Sequence, residues 1–393
     1  MRLLLPWLLV AALVGCEKKV PPELPARLVL TPVSFDAVPG WREDAVGEAL
    51  PALVRSCARL DGQPDGRAYG NGGDGLAGRV ADWRAPCAAL AGLRAGDEAG
   101  ARAALETWFA PFKATNNDRE GGLITGYYEA ELEGALFPGA EYRIPVYGRP
   151  DDLVIADLGL FASELRGRRV VGRVEDGRLL PYLTRKDIDR GGLGGRNLEL
   201  LWAKDPVDVF FLHIQGSGRV RFPDGSERRI GFAASNGHDF TGIGRALIDE
   251  GKVPREQASM QGIRAWLRAH PEEAERIMVR NARYIFFRWI DGEGPIGAQG
   301  VALTAGRSLA VDPRFLPLGV PVFLDTTWPG GKRPLRRLMV AQDAGAAIKG
   351  PLRADFFWGS GEPALEQAGR MKQEGRFYIL LPRSVAERRK ATS

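Results

Sequence analysis

Two carboxylates near the C-terminus have the types and spacing best suited to chemistry. Asp343 and Asp355 lie twelve residues apart and bracket Lys349, and a Phe-Phe-Trp triplet at 356–358 directly follows the second acid. A carboxyl group desolvated by aromatic rings keeps its proton more readily, which suits a general acid that cleaves a glycosidic bond. The alternative interpretation is structural: Asp343 caps a turn, and Asp355 pairs with Lys349 or Arg353.

Other common catalytic groups are poorly represented. None of the three histidines has a metal-ligand spacing, which argues against zinc catalysis. Gly216-Ser217-Gly218 lacks the full nucleophile-elbow pattern of a serine hydrolase, and there is no Walker A sequence. Residues 70–75 match a dinucleotide-binding glycine spacing, but no apolar strand precedes them, so we interpret them as a loop. Carboxylate chemistry remains, with no metal and no organic cofactor expected.

The composition is that of a globular protein. The 393 residues include 54 Lys and Arg against 49 Asp and Glu, and this net charge of +5 is scattered along the chain, which disfavours nucleic-acid binding. The 50 Gly and 27 Pro make turns frequent and long helices rare, so we expect a β-rich architecture. The length allows two or three domains.

The N-terminus carries an export signal. Residues 1–15 hold one basic residue and an apolar run too short to span a bilayer, and they end in Leu-Val-Gly before Cys16. This end resembles the lipobox of bacterial lipoproteins, in which the cysteine carries lipid, and the absence of Asp at position 17 favours the outer membrane. An ordinary secretory signal or a short membrane anchor is the alternative, and either would export the chain.

Cys16, the lipidation candidate, is followed by a predicted tether. The sequence contains only two further cysteines. The tether, within residues 16–40, begins with a proline-rich stretch. In an oxidising compartment, Cys57 and Cys87 predict one disulfide within the N-terminal region. Two buried free thiols are the alternative.

Apolar spacing predicts a helical part followed by a β region. Residues 41–113 largely follow the helical period. Residues 123–230 hold short apolar runs separated by turn signals, which predicts strands, among them 209–214 and 218–222. A β-barrel or sandwich of short strands fits this pattern best.

Two helices and a second β region complete the chain. Ser259 resembles an N-cap, and Pro271 with the acids after it opens another helix. Strand-like runs return over residues 283–381. The basic and polar tail, residues 383–393, is predicted to fray.

Seven short stretches between about Gly122 and Leu381 carry a family resemblance. They are 126–129 (GYYE), 144–147 (IPVY), 183–185 (LTR), 213–218 (HIQGSG), 294–298 (GPIGA), 307–312 (RSLAVD) and the block 343–359. Each is weak alone, but in this order they resemble the membrane-bound lytic murein transglycosylase A family, bacterial lipoproteins that cleave peptidoglycan glycan strands.

The resemblance implies the fold and the roles of three acids. The fold class would be mainly β: a double-psi β-barrel with an inserted second β-barrel domain, a helical N-terminal lead-in, and the substrate cleft between the barrels. Asp312, Asp343 and Asp355 match the acids of a C-terminal three-aspartate domain, with catalysis assigned to Asp355. One departure is Ala346, where the family usually has glycine.

The implied boundaries are 1–15 for the signal peptide, 16–40 for the lipidated cysteine and tether, 41–130 for the helical part of the barrel domain, 131–283 for the insert, 284–385 for the three-aspartate domain and 386–393 for the tail.

The resemblance also implies a reaction. A lytic transglycosylase breaks the β-1,4 bond between N-acetylmuramic acid and N-acetylglucosamine without water and leaves a 1,6-anhydromuramyl end. Asp355 would act first as acid and then as base, with Asp343 in support. The candidate substrate contacts are Tyr127, Tyr128, Gln215, Ser217, Asp312 and Lys349.

The expected partners follow from this assignment. They are the glycan strands of peptidoglycan, the outer membrane through the lipid on Cys16, and cell-wall synthesis or division complexes, for a monomer that faces the periplasm and binds no nucleic acid. Two alternatives stay open. One is a hydrolytic muramidase with Asp355 as acid and Asp343 or Asp312 as base, and the other is a non-catalytic, peptidoglycan-binding lipoprotein.

Overall fold

The computed structural model describes residues 25–70, 75–292 and 294–391. The predicted export signal, Cys16 and residues 17–24 of the predicted tether lie outside the described residues, as do residues 71–74 of the glycine-rich loop. Strands account for 32% and helices for 30% of the structure, which confirms the expectation of a mainly β protein.

Sixteen strands are assigned within the described residues. They are β1 Leu28–Pro32, β2 Phe109–Asn116, β3 Gly122–Ala135, β4 Ile144–Tyr147, β5 Val154–Asp157, β6 Arg169–Glu175, β7 Arg178–Pro181, β8 Glu199–Ala203, β9 Ser217–Arg221, β10 Glu227–Ser235, β11 Ile285–Ile290, β12 Ser308–Val311, β13 Pro321–Thr327, β14 Pro334–Ala344, β15 Ala354–Ser360 and β16 Lys372–Pro382.

The helices are short. The α-helices are α1 Leu50–Ala58, α2 Val80–Ala91, α3 Glu98–Trp108, α4 Arg185–Asp187, α5 Pro206–Gln215, α6 Ile243–Asp249, α7 Met260–Ala269, α8 Pro271–Met278, α9 Gly361–Arg370 and α10 Arg383–Ala391. Single 3-10 turns occur at Phe35–Ala37, Val46–Ala49, Leu158–Leu160, Ser163–Leu165 and Arg255–Gln257, and a π-turn at Ile188–Gly192.

The strand pairings form two closed circuits that share β3. The first ring runs β3, β15, β12, β14, β13, β16 and back to β3, with parallel pairs β3–β15 and β12–β14. The second ring runs β3, β9, β10, β11, β4 and β8, and between β11 and β4 it is closed only by a bridge from Gly148 to Phe287. Strands β5, β6 and β7 form a separate antiparallel sheet.

Strand β3 is long enough to serve both rings. Its first part, residues 122–129, pairs with β15 and β16, and its last part, residues 130–135, pairs with β9 and β8. Gly126 lies where other groups come very close, because a Cβ there would meet the Trp358 indole nitrogen at 2.7 Å and the Ala368 Cα at 2.8 Å. Only glycine allows this packing without a shift of the neighbours.

The helical spacing over residues 41–113 is confirmed for α1, α2 and α3 but is wrong for residues 109–113, which lie in strand β2. These helices pack against the first ring. A buried ion pair fastens them: Arg307 Nη1 lies 2.9 Å from Asp44 Oδ2, and the two side chains are 2% and 3% exposed. The same Asp44 oxygen accepts a hydrogen bond from the backbone N–H of Leu338. A disulfide joins Cys57 in α1 to Cys87 in α2.

One strand prediction was wrong. Residues 209–214 lie in helix α5, not in a strand. The helix is fixed by its ends, because the Asp205 side chain accepts a hydrogen bond from Val207 N, Pro206 starts the first turn, and Gly216 ends the helix in the left-handed conformation. Its apolar run lies between two clusters, the core of the second ring and the α6–α8 helices, so both sides are buried and no helical period is visible.

The prediction of a frayed tail was also wrong for residues 383–391. They form helix α10, in which Val385 and Ala386 are buried. Arg388 forms an ion pair with Asp82 of α2, and Ser384 donates a hydrogen bond to the same carboxylate. The polar composition of the tail thus serves contacts with the N-terminal helices. The two helices predicted after Ser259 and from Pro271 are confirmed as α7 and α8.

We predict that Asp44→Asn lowers the free energy of unfolding by about 3 kcal/mol, because it leaves the Arg307 charge buried without its partner. Urea denaturation followed by circular dichroism measures the loss. Glu48→Gln is the matched control, since Glu48 also pairs with Arg307 but is 59% exposed, and it should cost below about 1 kcal/mol. Equal losses in both variants would contradict the prediction.

Candidate functional site

Four residues from adjacent strands of the first ring form a row. Ala310 of β12 is paired on one side with Asp343 of β14 and on the other with Asp355 of β15, and Asp355 is paired in turn with Thr125 of β3. Directly paired residues share a face of the sheet, so the two acids emerge on the same face with the methyl group of Ala310 between them. Their backbones are two strand spacings apart, about 10 Å.

Asp355 is held by Arg353, the residue immediately before β15, and by Thr125 of β3. Arg353 Nη1 lies 2.7 Å from Asp355 Oδ1, and the Arg353 Nη2 group donates to the Thr125 hydroxyl at 2.8 Å. The Thr125 hydroxyl itself donates a hydrogen bond to Asp355 Oδ1. The Asp355 side chain remains 20% exposed, so a ligand can reach the carboxylate.

Asp343 has a different environment. Its Oδ1 accepts hydrogen bonds from the backbone N–H groups of Ala298 at 2.8 Å and Ala344 at 2.9 Å. Burial raises the pKa of Asp343 to about 6, and the negative charge of Asp355 adds to the increase, whereas the two N–H groups and the Tyr127 hydroxyl oppose it. Asp343 therefore keeps a proton under mildly acidic conditions.

Tyr127 connects the two acids to an aromatic wall. It lies two residues beyond Thr125 on the same face of β3, and its ring centroid is 5.1 Å from that of Phe357. Its hydroxyl is buried towards Asp343 without a hydrogen bond of standard geometry. Burial and the charge of Asp343 both raise the pKa of Tyr127, so the phenol stays protonated and available as a donor.

Tyr128 and Gln215 are engaged with the protein. The Tyr128 side chain points to the opposite face, is buried in the core of the second ring and accepts a hydrogen bond from Arg264 Nη1 at 2.9 Å. Gln215 Oε1 accepts a hydrogen bond from the backbone N–H of Tyr128 at 3.1 Å. Ser217, next to the end of α5, is half-buried at the start of β9.

The third acid, Asp312, holds a loop. Its carboxylate lies 2.6 Å from Arg314 Nη2 and accepts a hydrogen bond from Gly350 N at 2.8 Å. Burial alone would raise the pKa of Asp312, but Arg314 and the N–H groups outweigh burial and lower this pKa. Asp312 therefore stays ionised and fixes the loop that carries the exposed Lys349.

Two members of the site, Thr125 and Arg353, were not among the candidates named from sequence. Arg353 was named from sequence only as a structural partner of Asp355, and it lies immediately before β15, two residues ahead of that acid. The contact of Thr125 with Asp355 depends on the parallel pairing of β3 with β15, which no local signal specifies. The ion pair with Arg353 is the structural alternative considered from sequence, but it leaves the carboxylate accessible.

A third cluster joins the rings beside the site. Glu129 of β3 is buried, and its carboxylate lies 3.1 Å from Arg229 Nε and 3.7 Å from Arg219 Nη2. Arg219 also donates to the Ser360 hydroxyl of β15 at 3.2 Å. These contacts fix the second ring against the strand that carries Asp355.

Two general features bear on the chemistry of the site. Within residues 25–70, 75–292 and 294–391, no three His, Cys, Asp or Glu side chains are grouped closely enough to hold a metal ion. Over the same part of the chain, no helix is both long and apolar enough to cross a membrane. The arrangement offers two carboxyl groups in different environments, a phenol and a guanidinium, which is sufficient for proton transfer at a sugar.

Two family models match the chain. The MltA specific insert domain matches residues 123–288, and the 3D domain matches residues 307–381. Among curated proteins, the membrane-bound lytic murein transglycosylase A of Escherichia coli (strain K12) is 30% identical over 308 residues, which cover 72% of this chain and 76% of that protein. The Vibrio cholerae protein of the same name is also 30% identical, over 67% of this chain and 66% of its own length.

Solved structures agree with these matches. The crystal structure of a membrane-bound lytic murein transglycosylase from Agrobacterium tumefaciens is 38% identical, covers 91% of this chain and 99% of its own, and superposes with a TM-score of 0.81. MltA from Neisseria gonorrhoeae is 35% identical, covers 90% of this chain and 93% of its own, and gives a TM-score of 0.77. Both likenesses extend over both rings.

We predict that Asp343→Asn changes the pH dependence of stability. The folded pKa of Asp343 is raised to about 6, so its contribution to stability is fully present below about pH 4 and is lost as pH rises through 6. Relative to the parent, the variant should therefore gain on the order of 2 kcal/mol between pH 4 and pH 7. Urea unfolding at several pH values measures this difference.

Asp312→Asn is the matched control with the opposite sign. The folded pKa of Asp312 is lowered, so its stabilising effect is present at neutral pH and is lost as pH falls through that pKa. The control should be destabilised at pH 7 and approach the parent in acid. Unfolding curves for Asp343→Asn that parallel those of the parent at every pH would contradict the assigned environment of Asp343.

Proposed function

The chain belongs to the membrane-bound lytic murein transglycosylase A family, and we propose that it cleaves peptidoglycan glycan strands with Asp355 as its single acid and base. The reaction would break the β-1,4 bond between N-acetylmuramic acid and N-acetylglucosamine and leave a 1,6-anhydromuramyl end. The observation that carries this proposal is the row of Asp343, Ala310, Asp355 and Thr125, in which the accessible carboxylate of Asp355 shares a face of the sheet with Asp343, whose pKa is raised by burial.

In the first step, protonated Asp355 donates its proton to the leaving glycosidic oxygen while positive charge develops at C1 of the muramyl sugar. The ion pair with Arg353 stabilises the ionised carboxylate, so a bound sugar has to displace or share this contact for the acid step. The accessible side of Asp355 allows such an exchange. Asp343 keeps its own proton in mild acid and therefore limits the negative charge beside the developing reaction centre.

In the second step, ionised Asp355 takes the proton of the C6 hydroxyl as that oxygen attacks C1 of the same sugar. The attack is intramolecular, and its high effective molarity favours it over attack by water. Arg353 and Thr125 then support the carboxylate in the form that must act as base. One carboxyl group thus serves both steps, and no cofactor is needed.

The surrounding residues suit a sugar to different degrees. Tyr127 offers a phenol next to both acids, and Lys349 is exposed on the loop that Asp312 holds. Ser217 is half-buried at the start of β9. We propose these three as substrate contacts, whereas Tyr128 and Gln215 would act by holding β3 against α5, because their polar groups bind each other and Arg264.

The finer points of fold and location are also proposals. The first ring would be the double-psi barrel, the second ring the inserted barrel, and the substrate cleft would lie between them. Relatives are named membrane-bound, and the sequence around Cys16 suits a lipid anchor, so we propose an outer-membrane lipoprotein that faces the periplasm as a monomer. The disulfide between Cys57 and Cys87 is compatible with that oxidising compartment.

We predict that Asp355→Ala reduces the release of anhydromuramyl products from purified peptidoglycan by roughly a thousandfold, because both proton transfers depend on this carboxyl group. Mass spectrometry of the products measures the loss, and binding to peptidoglycan should remain. Asp343→Asn should reduce the rate less, since it removes a neighbouring acid and leaves the reacting one.

Asp249→Ala is the matched control, because this acid is exposed in α6 and, among the described residues, forms an ion pair with Arg245 alone, so the variant should cleave like the parent. Undiminished activity in Asp355→Ala would overturn the assignment. Reducing ends in place of anhydro ends would favour a hydrolase with a second carboxylate, and binding by the parent without any product would favour a tethering protein.

A further inference from the structure

The second ring has an incomplete seam. Its strands are paired by continuous ladders except between β11 and the end of β4, where only Gly148 and Phe287 form a bridge. A cavity of about 620 Å³ opens at this seam. That volume is in the range of pockets for small ligands and short peptides.

The lining of the seam combines apolar and cationic groups. Leu200, Phe287 and Trp289 form an apolar wall, and Arg149 and Arg288 lie at the same cavity without an acidic residue in the lining. Arg228 covers the Trp289 ring at 3.9 Å from its centroid and so holds the indole in place. Such a surface suits a ligand that carries both carboxylates and small apolar groups.

Neither guanidinium at the seam has a carboxylate partner among the described residues. Arg149 Nη2 donates to the carbonyl oxygen of Leu153 at 3.2 Å, and Arg288 Nε donates to that of Phe232 at 3.4 Å. Both arginines are exposed and follow or flank the Gly148–Phe287 bridge, so their guanidinium groups lie at the same opening. Each retains several N–H donors for an incoming anion.

The edge of β11 adds main-chain groups to this surface. Strand β11 is fully paired with β10 on one side, and alternate N–H and C=O groups point to the other side, where pairing ends with the single bridge. An extended peptide can bind such an edge by main-chain hydrogen bonds. The cavity is too small for a folded partner but accommodates a few residues in extended form.

We propose that this seam binds the stem peptides of peptidoglycan, the short peptides with free carboxylates that branch from the glycan strand. Arg149 and Arg288 pair with the carboxylates, and the alanine methyl groups pack on Leu200 and Trp289. The site lies on the second ring, away from the row of acids, so it would hold the murein by its peptides while the glycan is cleaved. This inference rests on the proposed function, because it names a second part of the same substrate.

The test uses the full chain, purified in detergent and carrying Asp355→Ala so that the murein stays intact. Its sedimentation with intact murein sacculi is compared with that on sacculi stripped of stem peptides by an amidase. Adding Arg149→Gln and Arg288→Gln should weaken binding to intact sacculi roughly tenfold and leave binding to stripped glycan unchanged. The soluble peptides that the amidase releases, added in excess, should displace the parent from intact sacculi.

Arg245→Gln is the matched control, because Arg245 is exposed in α6 and pairs with Asp249, and it should bind both murein preparations like the parent. Unchanged binding of the double variant to intact sacculi, or an equal loss on stripped glycan, would overturn the proposal. Failure of the released peptides to compete would also overturn it. The test involves no cleavage, so its outcome is independent of whether the active enzyme releases anhydromuramyl products.

Discussion

The structure depends on one strand that belongs to two rings. Strand β3 pairs through residues 122–129 with the ring that carries the acids and through residues 130–135 with the other ring. Because a strand is stiff along its hydrogen-bonded length, the two rings cannot turn about a flexible linker at this point. Thr125 and Tyr127 are placed beside Asp355 by the same pairing, so the constraint that joins the rings also builds the site. The Glu129 contacts with Arg219 and Arg229 reinforce the joint.

The acids of the site differ because their surroundings differ. Asp343 is half-buried beside backbone N–H groups and the Tyr127 phenol, and its pKa is raised to about 6. Asp312 is bound to Arg314 and to Gly350 N, which keep its pKa low and give it a structural task. Asp355 alone combines a cationic partner with access for a ligand. This division agrees with the proposed mechanism, in which Asp355 reacts while Asp343 and Asp312 tune or hold its surroundings.

The second ring differs from the first in having an incompletely paired seam. Helices α5 to α8 share an apolar cluster of their own. The seam at Gly148 and Phe287 leaves a cavity lined by Arg149 and Arg288, which have no carboxylate partner among the described residues. An extended peptide can pair with the edge of β11 at a small cost in free energy, because few existing hydrogen bonds need to break there. The first ring lacks such a seam, since all six of its pairings are ladders.

The sequence by itself determined several local features: the helices capped by Ser259 and opened by Pro271, strands in both β regions and the mainly β class. It offered Asp343 and Asp355 as candidate acids. Residues 209–214 were misassigned because a segment buried on both sides has no periodicity, and the caps Asp205 and Gly216 decided the outcome. Only the tertiary structure brought Thr125 to Asp355 across 230 residues of chain. Strand partners and the burial of each acid are set by the whole fold, since pairing and desolvation depend on residues distant in sequence.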